Sequence, residues 1–417
     1  METPLRPFRA VRYVPERVGD LALVLGPADD VPTVEQAAAL AAQHPLHCLH
    51  LEIPDPDGRS FRAAARRFRT WRAEGVLRVD DEPTCTVLLH RFTLDGRSSE
   101  RLGVFLAASL RPRAGTRLFP HEGTSADLVE RRERQLEAVQ AHAGAVFAIW
   151  AGDGALRQTL AARIEQVRPV WELEREGERY ALWTFGSNAA SEIAALAAAR
   201  PLVVADGHHR LEAARRYASR CVPPGASDHP AAWVPVHVVD ARDPALLVRP
   251  IHRLVRVLPR PWEDFRAHLA RHVQIVSAWP RPTPDGVLRA SRRLEETSVP
   301  RALVVHAHEC LEIALPGNAD REPDAAIVDR LLLRQICAFE DHRIDRMVEY
   351  TPDAAETVLA LRSGRAELAI LLRPTPLATV LDWAQRGRLL PPKTTYFFPK
   401  LPQGIVFYDL ADPRTLA

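Results

Sequence analysis

The sequence is short of lysine, of cysteine pairs and of any long apolar run, and has almost no net charge. Of 55 basic residues, two are lysine, Lys393 and Lys400, and the rest are arginine. Because Lys and Arg together (55) nearly balance Asp and Glu (53), the formal charge is +2. No field of one sign is available to draw in a nucleic-acid backbone. No stretch of about 18 apolar residues occurs, which argues against a membrane-spanning helix. Met1 to Tyr13 carries Arg and Pro but nothing like the apolar segment of a signal peptide. The cysteines, Cys48, Cys85, Cys221, Cys310 and Cys337, are odd in number and form no CxxC pair, so neither a disulfide framework nor a structural zinc site is expected. The expectation is a cytoplasmic protein with no membrane or nucleic-acid partner, its oligomeric state open to a homodimer.

What is present is ordinary globular material. The chain has 417 residues, 47% hydrophobic and 26% charged, enough for two or three subdomains. Apolar periodicity and turn residues suggest an α/β (mixed α+β) fold in three segments: 1–110, 111–257 and 258–417. In the first, strands are expected at Leu21–Leu25 and Leu46–Ile53, helices at Val34–Gln43 and Ser60–Glu74, and a hairpin of Thr86–Thr93 with Arg101–Leu110 around Asp95-Gly96. The second opens with a Pro/Gly/Thr loop holding His121 and Glu122. A charged helix from Ser125 to Ala143 follows, with Ser125 or Thr124 placed to cap it. Strands then alternate with Ala-rich helices up to Leu202–Ala205. In the third, proline clusters such as Pro280 to Pro284 suggest a small inserted subdomain within 259–316, and the segment closes on Pro391-Pro392-Lys393-Thr394-Thr395-Tyr396-Phe397-Phe398-Pro399-Lys400.

The most informative stretch is Asp206-Gly207-His208-His209-Arg210, a polar loop between an apolar strand and a helix at Leu211–Ala218. Gly207 permits a tight turn, and a helix beginning there points unpaired backbone N–H groups at the loop, which makes an anion site. Arg210 adds a fork suited to phosphate oxygens, and His208 and His209 can donate hydrogen bonds or move protons near neutral pH. Asp206 is placed to hold a magnesium ion or to orient a histidine. The blander alternative is that these groups satisfy caps and turns. Zinc is a further option for adjacent histidines, but no third ligand is visible by spacing.

Other candidates are scattered along the chain. Glu122 is suited to act as a general base toward a substrate hydroxyl, with His121 contacting a charged group; an exposed loop pair is the alternative. His252-Arg253 reads equally well as a substrate contact or as a salt-bridging pair. Lys393, Lys400 and Thr394 can bind phosphate by charge and hydroxyl, with Tyr396 near substrate, although Tyr396-Phe397-Phe398 also reads as a core strand.

Six landmarks in order carry a family resemblance: Pro7-Phe8-Arg9-Ala10; Gly75-Val76-Leu77 followed by Asp80; His121-Glu122; Ala205-Asp206-Gly207-His208-His209-Arg210; His252-Arg253; and the closing Pro391 to Leu401 motif. On these the chain resembles, nearly end to end, the family called domain of unknown function 1015. Two features depart from the family pattern. Pro27-Ala28-Asp29-Asp30 replaces a Pro-Pro-Tyr-Asp-like motif, leaving Asp30 as the acid expected near substrate, and Glu133-Arg134 stands where Asp-Arg is usual. Over about twenty residues the Asp206–Arg210 loop is also similar to the phosphate-binding loop of the ParB and sulfiredoxin superfamily, which includes free-serine kinases. That resemblance implies a ParB/sulfiredoxin-like strand-loop-helix core, phosphate contacts by His209 and Arg210, an acidic base and magnesium; no local motif aligns Glu122 with that base.

The functional expectation is a small-molecule phosphotransferase that phosphorylates serine or a serine-like amino acid from ATP, ADP or another phosphate donor, with Mg2+. Asp206, His208, His209 and Glu122 are its expected catalytic groups, and Gly207, His209, Arg210, Lys393, Thr394 and Lys400 its phosphate contacts. His121, His252, Arg253, Asp30 and Tyr396 are expected near substrate. The alternatives are a metal-assisted phosphatase or hydrolase, and a nucleotide-responsive ParB-like binding protein. No Walker motif, Gly-rich kinase loop or Rossmann fingerprint is present.

Overall fold

The structure, a computed structural model, describes residues 4–28, 33–94, 96–111, 118–317 and 322–416. The fold is mixed α/β and divides into two compact units, residues 1–247 with 399–417, and residues 248–398. The expected boundary near residue 110 falls inside the first unit, because strands from both sides of it interleave in one sheet.

The first unit is built on nine strands: β1 (Leu5–Arg6), β2 (Thr84–Leu94), β3 (Arg97–Ser109), β4 (Leu118–Phe119), β5 (Val146–Trp150), β6 (Trp171–Arg175), β7 (Glu178–Gly186), β8 (Leu202–Asp206) and β9 (Trp233–Asp240). Their order is β4-β8-β5-β9-β3-β2-β7-β6, with β1 added alongside β3. The hairpin of β2 and β3 pairs from Thr86 opposite Phe105 to Leu94 opposite Arg97. At the other edge β8 runs parallel to β4 and antiparallel to β5. Alternation along the strands separates two cores. Val87, Val104, Val146, Val204 and Val236 face one side, covered by α4 (Ala155–Ile164) and α5 (Ser187–Ala198); Leu88, Phe105 and Tyr180 face the other, under the C-terminal Ile405, Val406 and Tyr408. The charged helix is α3 (Ala126–Val139), preceded in the chain by α1 (Val34–Ala41) and α2 (Arg62–Ala73).

Two expected strands are instead short 3-10 turns, Leu21–Leu23 and Cys48–Leu51. In each, a polar side chain just ahead of the apolar run accepts from the backbone two residues on: Ala22 N–H donates to Asp20 at 2.8 Å and Leu49 N–H to His47 Nδ1 at 3.2 Å. That local capture turns the chain before it can extend. A third difference concerns the polar loop itself. Helix α6 runs His208–Cys221, so His208, His209 and Arg210 form its first turn.

The second unit holds a six-stranded antiparallel sheet of β10 (His252–Val255), β11 (Ile275–Pro280), β12 (Arg301–His306), β13 (Glu309–Ala314), β14 (Val348–Thr351) and β15 (Leu368–Leu372), in the order β11-β13-β12-β15-β10-β14. The suggested subdomain at 259–316 supplies three of these strands and is part of the same sheet. One face packs on Trp262, Phe265 and a π-helical stretch, Asp329–Ile336; the other packs on Val287, Ala290 and Leu294. Among the described residues no helix is long and apolar enough to cross a membrane.

Candidate functional site

Leu202 to Ala205 is apolar and buried, so it holds β8 in the sheet until Asp206 ends it. Gly207 then turns at φ 89°, ψ 27°, a left-handed conformation that side chains other than glycine's disfavour. A Cβ at this position would lie 3.4 Å from both the Arg210 guanidinium and Val146 Cα. With glycine at its N-cap, α6 starts with no side-chain cap, so its first-turn N–H groups face outward with the positive end of the helix dipole.

The short strand β4 explains how His121-Glu122 reaches this turn. Leu118 lies opposite Leu202 and Phe119 opposite Val203 in a parallel pair, so the chain leaving β4 travels beside Val204 to Gly207. His121 is completely buried there. Its Nδ1 meets the Val204 carbonyl, its backbone N–H donates to His208 Nε2 at 3.4 Å, and the two imidazoles stand edge to face with centroids 4.6 Å apart. His121 Nε2 faces Glu122 Oε1 at 3.6 Å, and the Glu122 side chain is 18% exposed. Burial, reinforced by His121, holds His208 far below the ordinary histidine value, so its ring is neutral.

A second helix start arrives at the same corner. Ser125 occupies the N-cap of α3 but its side chain makes no cap bond; its N–H donates instead to His209 Nε2 at 3.0 Å. Ser125, one of the two residues expected to cap the helix, holds the N-cap position without a side-chain cap, and its own N–H is taken by a histidine of the other helix. Glu133 of α3 and Arg220 of α6, 3.0 Å apart, tie the helices further along. Two helix N-termini, each without a side-chain cap, are thus bridged by one imidazole.

From the C-terminal segment, Lys400 Nζ reaches Asp206 Oδ1 at 3.2 Å. That salt bridge holds the carboxylate proposed for magnesium. Arg210 turns back so that one guanidinium nitrogen donates to the Ala145 carbonyl at 2.8 Å. Among the described residues no group of three or more His, Cys, Asp or Glu is arranged to hold a metal ion.

Asp206, Gly207, His208, His209, Arg210, His121, Glu122 and Lys400 thus share one corner of the first unit. Asp30 lies outside the described residues. His252, Arg253, Lys393, Thr394 and Tyr396 belong to the second unit. There Arg253 is fully buried on Asp329, with Nε to Oδ1 at 3.0 Å and Nη2 to Oδ2 at 3.2 Å, and His252 Nδ1 accepts from Leu372 N–H at 3.2 Å. Thr394 Oγ1 donates to the Pro391 carbonyl at 2.6 Å, and Lys393 adopts φ 61°. One contributor escapes sequence reasoning altogether: buried Arg101 donates to the carbonyl of Pro399, the residue before Lys400, and lies over the Phe147 ring, 5.0 Å from its centroid.

These features define a class: a mixed α/β protein with a strand-glycine-helix turn at the carboxyl ends of two parallel strands. The chain belongs to the family described as Protein of unknown function (DUF1015), whose model matches residues 5–339. No curated protein matches the sequence. Among solved structures it is similar to a free serine kinase in complex with AMP, at 12% identity over 70% of this chain and 86% of that one, TM-score 0.38. A conserved hypothetical protein from Pyrococcus furiosus gives 12% identity over 72% and 93%, TM-score 0.38. SbnI with a C-terminal truncation, from Staphylococcus aureus, gives 10% over 72% and 85%, TM-score 0.36. Likenesses at this level carry no statement about chemistry.

Proposed function

We propose that this protein is an enzyme that transfers a phosphoryl group from a nucleotide or other phosphate donor to the hydroxyl of a small molecule, with serine or a serine-like amino acid the first candidate. The observation that supports this most directly is the bridging of two helix N-termini by His209, beside Glu122 and Lys400. Each helix start presents roughly half a positive charge and N–H groups with no acceptor within the helix, so a phosphate is the ligand that suits both. Phosphoryl transfer asks mainly for positioned positive charge and donors, with little covalent work for the protein. In this reading Gly207, His209, Arg210 and Lys400 receive the phosphates, and Glu122 takes the hydroxyl proton. Asp206 sets Lys400, His208 supports His121, and magnesium enters with the donor's own phosphates.

The test is a thermal-shift panel of ATP, ADP, pyrophosphate and serine with and without Mg2+, since a ligand that binds the native state raises its stability by mass action. Incubation of the stabilising donor with serine follows. A nucleotide-dependent shift and formation of phosphoserine are expected, and Lys400→Met should weaken donor binding about tenfold or more, the worth of one charge-assisted hydrogen bond. Phosphate release from a phosphorylated metabolite without nucleotide would assign a phosphatase instead.

A further inference from the structure

His121 and Glu122 are neighbours in sequence, yet only one of the pair is accessible, and the buried one is held at Nδ1 and faces the other with Nε2. We propose that His121 is a positioning residue that acts through Glu122: it orients the carboxylate and takes up the proton that Glu122 removes from the acceptor hydroxyl. This rests on the phosphotransferase reading for the identity of the proton, but not for the existence of the pair.

The hydrogen bonds fix the tautomer. A carbonyl oxygen only accepts, so the His121 nitrogen facing Val204, Nδ1, carries the hydrogen. A neutral His121 then presents the lone pair of Nε2 to Glu122 Oε1, 3.6 Å away. Two acceptors facing each other repel weakly at that distance. A proton placed between them converts the repulsion into a charge-assisted hydrogen bond and draws them together. The same logic applies to His208, whose Nε2 accepts from the His121 N–H, so that its own hydrogen sits on Nδ1 and it cannot donate to His121 through Nε2. The ring of His121 is therefore clamped between the β8 backbone and His208, with its Nε2 edge turned toward Glu122. His208, edge to face with His121, has His121, Glu122 and His209 and also Lys400 from the C-terminal segment as charged or titratable neighbours. Lys400 is itself held by Asp206.

The hydroxyl oxygen forms a bond to the transferred phosphorus, and the donor's bridging oxygen leaves with its electron pair. The hydroxyl proton passes to Glu122 and then to His121 Nε2, leaving carboxylate and imidazolium as an ion pair. Because Glu122 is partly exposed and His121 is not, the proton returns to water through Glu122 once product has gone.

The experiment is 15N NMR of the full-length protein labelled at histidine, compared with Glu122→Gln, with His121 assigned by loss of its signals in His121→Gln. The expected result is a His121 ring protonated on Nδ1 in its neutral form. Its proton affinity should be at least about tenfold higher in the wild type than in Glu122→Gln, a shift of about one pH unit in its titration. A His121 titration that Glu122→Gln leaves in place, or a hydrogen on Nε2 of the neutral ring, overturns the pair. Turnover gives a separate readout: His121→Gln should lower kcat, leave the donor KM unchanged and move the acid limb of the pH profile. A shifted titration in a protein that makes no phosphoserine overturns the phosphotransferase reading and keeps the pair; phosphoserine formation with an unshifted titration does the opposite. Should His121→Gln fail to fold, the wild type and Glu122→Gln, which keeps the shape of the side chain, still decide the matter.

Discussion

Gly207 carries two demands at once, a left-handed backbone and a close approach to Val146 and Arg210. An added methyl would strain the first and crowd the second. Gly207→Ala should therefore cost about 1–2 kcal/mol in a urea melt, the worth of a left-handed alanine plus a tight contact, and should weaken donor binding by moving the first turn of α6. Unchanged stability and affinity would mean that the turn relaxes freely. At this scale much of the site was legible. A glycine between an acid and two histidines, after an apolar run, carries its own physical signature, and Lys400 stands out in a chain with one other lysine. Arg101 does not stand out: nothing in an arginine-rich sequence marks the residue that supports the Pro399 carbonyl, because its role is set by a residue nearly three hundred positions away. Arg253 does pair with an acid, but the pair is buried and not the surface salt bridge that the sequence suggested, and its partner Asp329 is one that spacing could not identify.

Between elements, the decisive feature is the meeting of α3 and α6, which no local pattern announces. Each helix is readable from its own periodicity, but their shared corner depends on β4, a two-residue strand whose parallel register against β8 delivers His121 to His208. Short strands give no periodicity to detect, which is why the stretch before His121 reads as loop. The two capped 3-10 turns fail for the opposite reason: their apolar residues look like strand, while one polar side chain ahead of each decides the backbone. The π-helical stretch Asp329–Ile336 illustrates how a buried charge can fix an element. Asp329 leads it and accepts from two nitrogens of fully buried Arg253, whose guanidinium also lies 5.4 Å from the Tyr350 ring centroid. Asp329→Asn would leave that guanidinium buried without its counter-charge, at a cost of about 3–5 kcal/mol. The double variant Asp329→Leu with Arg253→Met, which removes both charges, should recover most of it. Equal losses in the single and double variants, measured by chemical denaturation, would show that shape and not charge holds the stretch.

For the molecule as a whole, the buried histidines set an acid limit on stability. Both units contain buried imidazoles held neutral, among them His142 in the first and His252 in the second, both pushed down to about 3, chiefly by burial and further by Arg210 and Arg253 respectively. In the unfolded chain a histidine titrates near 6.5. Between those values the unfolded state binds protons that the folded state refuses, so stability rises with pH across that window. The contribution is present in full above about pH 6.5 and is lost as the pH falls toward about 3, by up to about 1.4 kcal/mol per pH unit for each such histidine. Neither nitrogen of His142 meets a hydrogen-bond partner among the described residues, so replacing the ring forfeits no hydrogen bond. His142→Leu should therefore match the wild type near pH 7.5 and exceed it at pH 5, with urea midpoints at the two pH values as the measurement. His252 differs in kind, because its Nδ1 accepts from Leu372 N–H; His252→Leu should be less stable at both pH values and show the same flattening with pH. If either variant retains the full wild-type slope between pH 5 and 7.5, the acid sensitivity lies in other groups and the neutral, buried state of that imidazole is wrong.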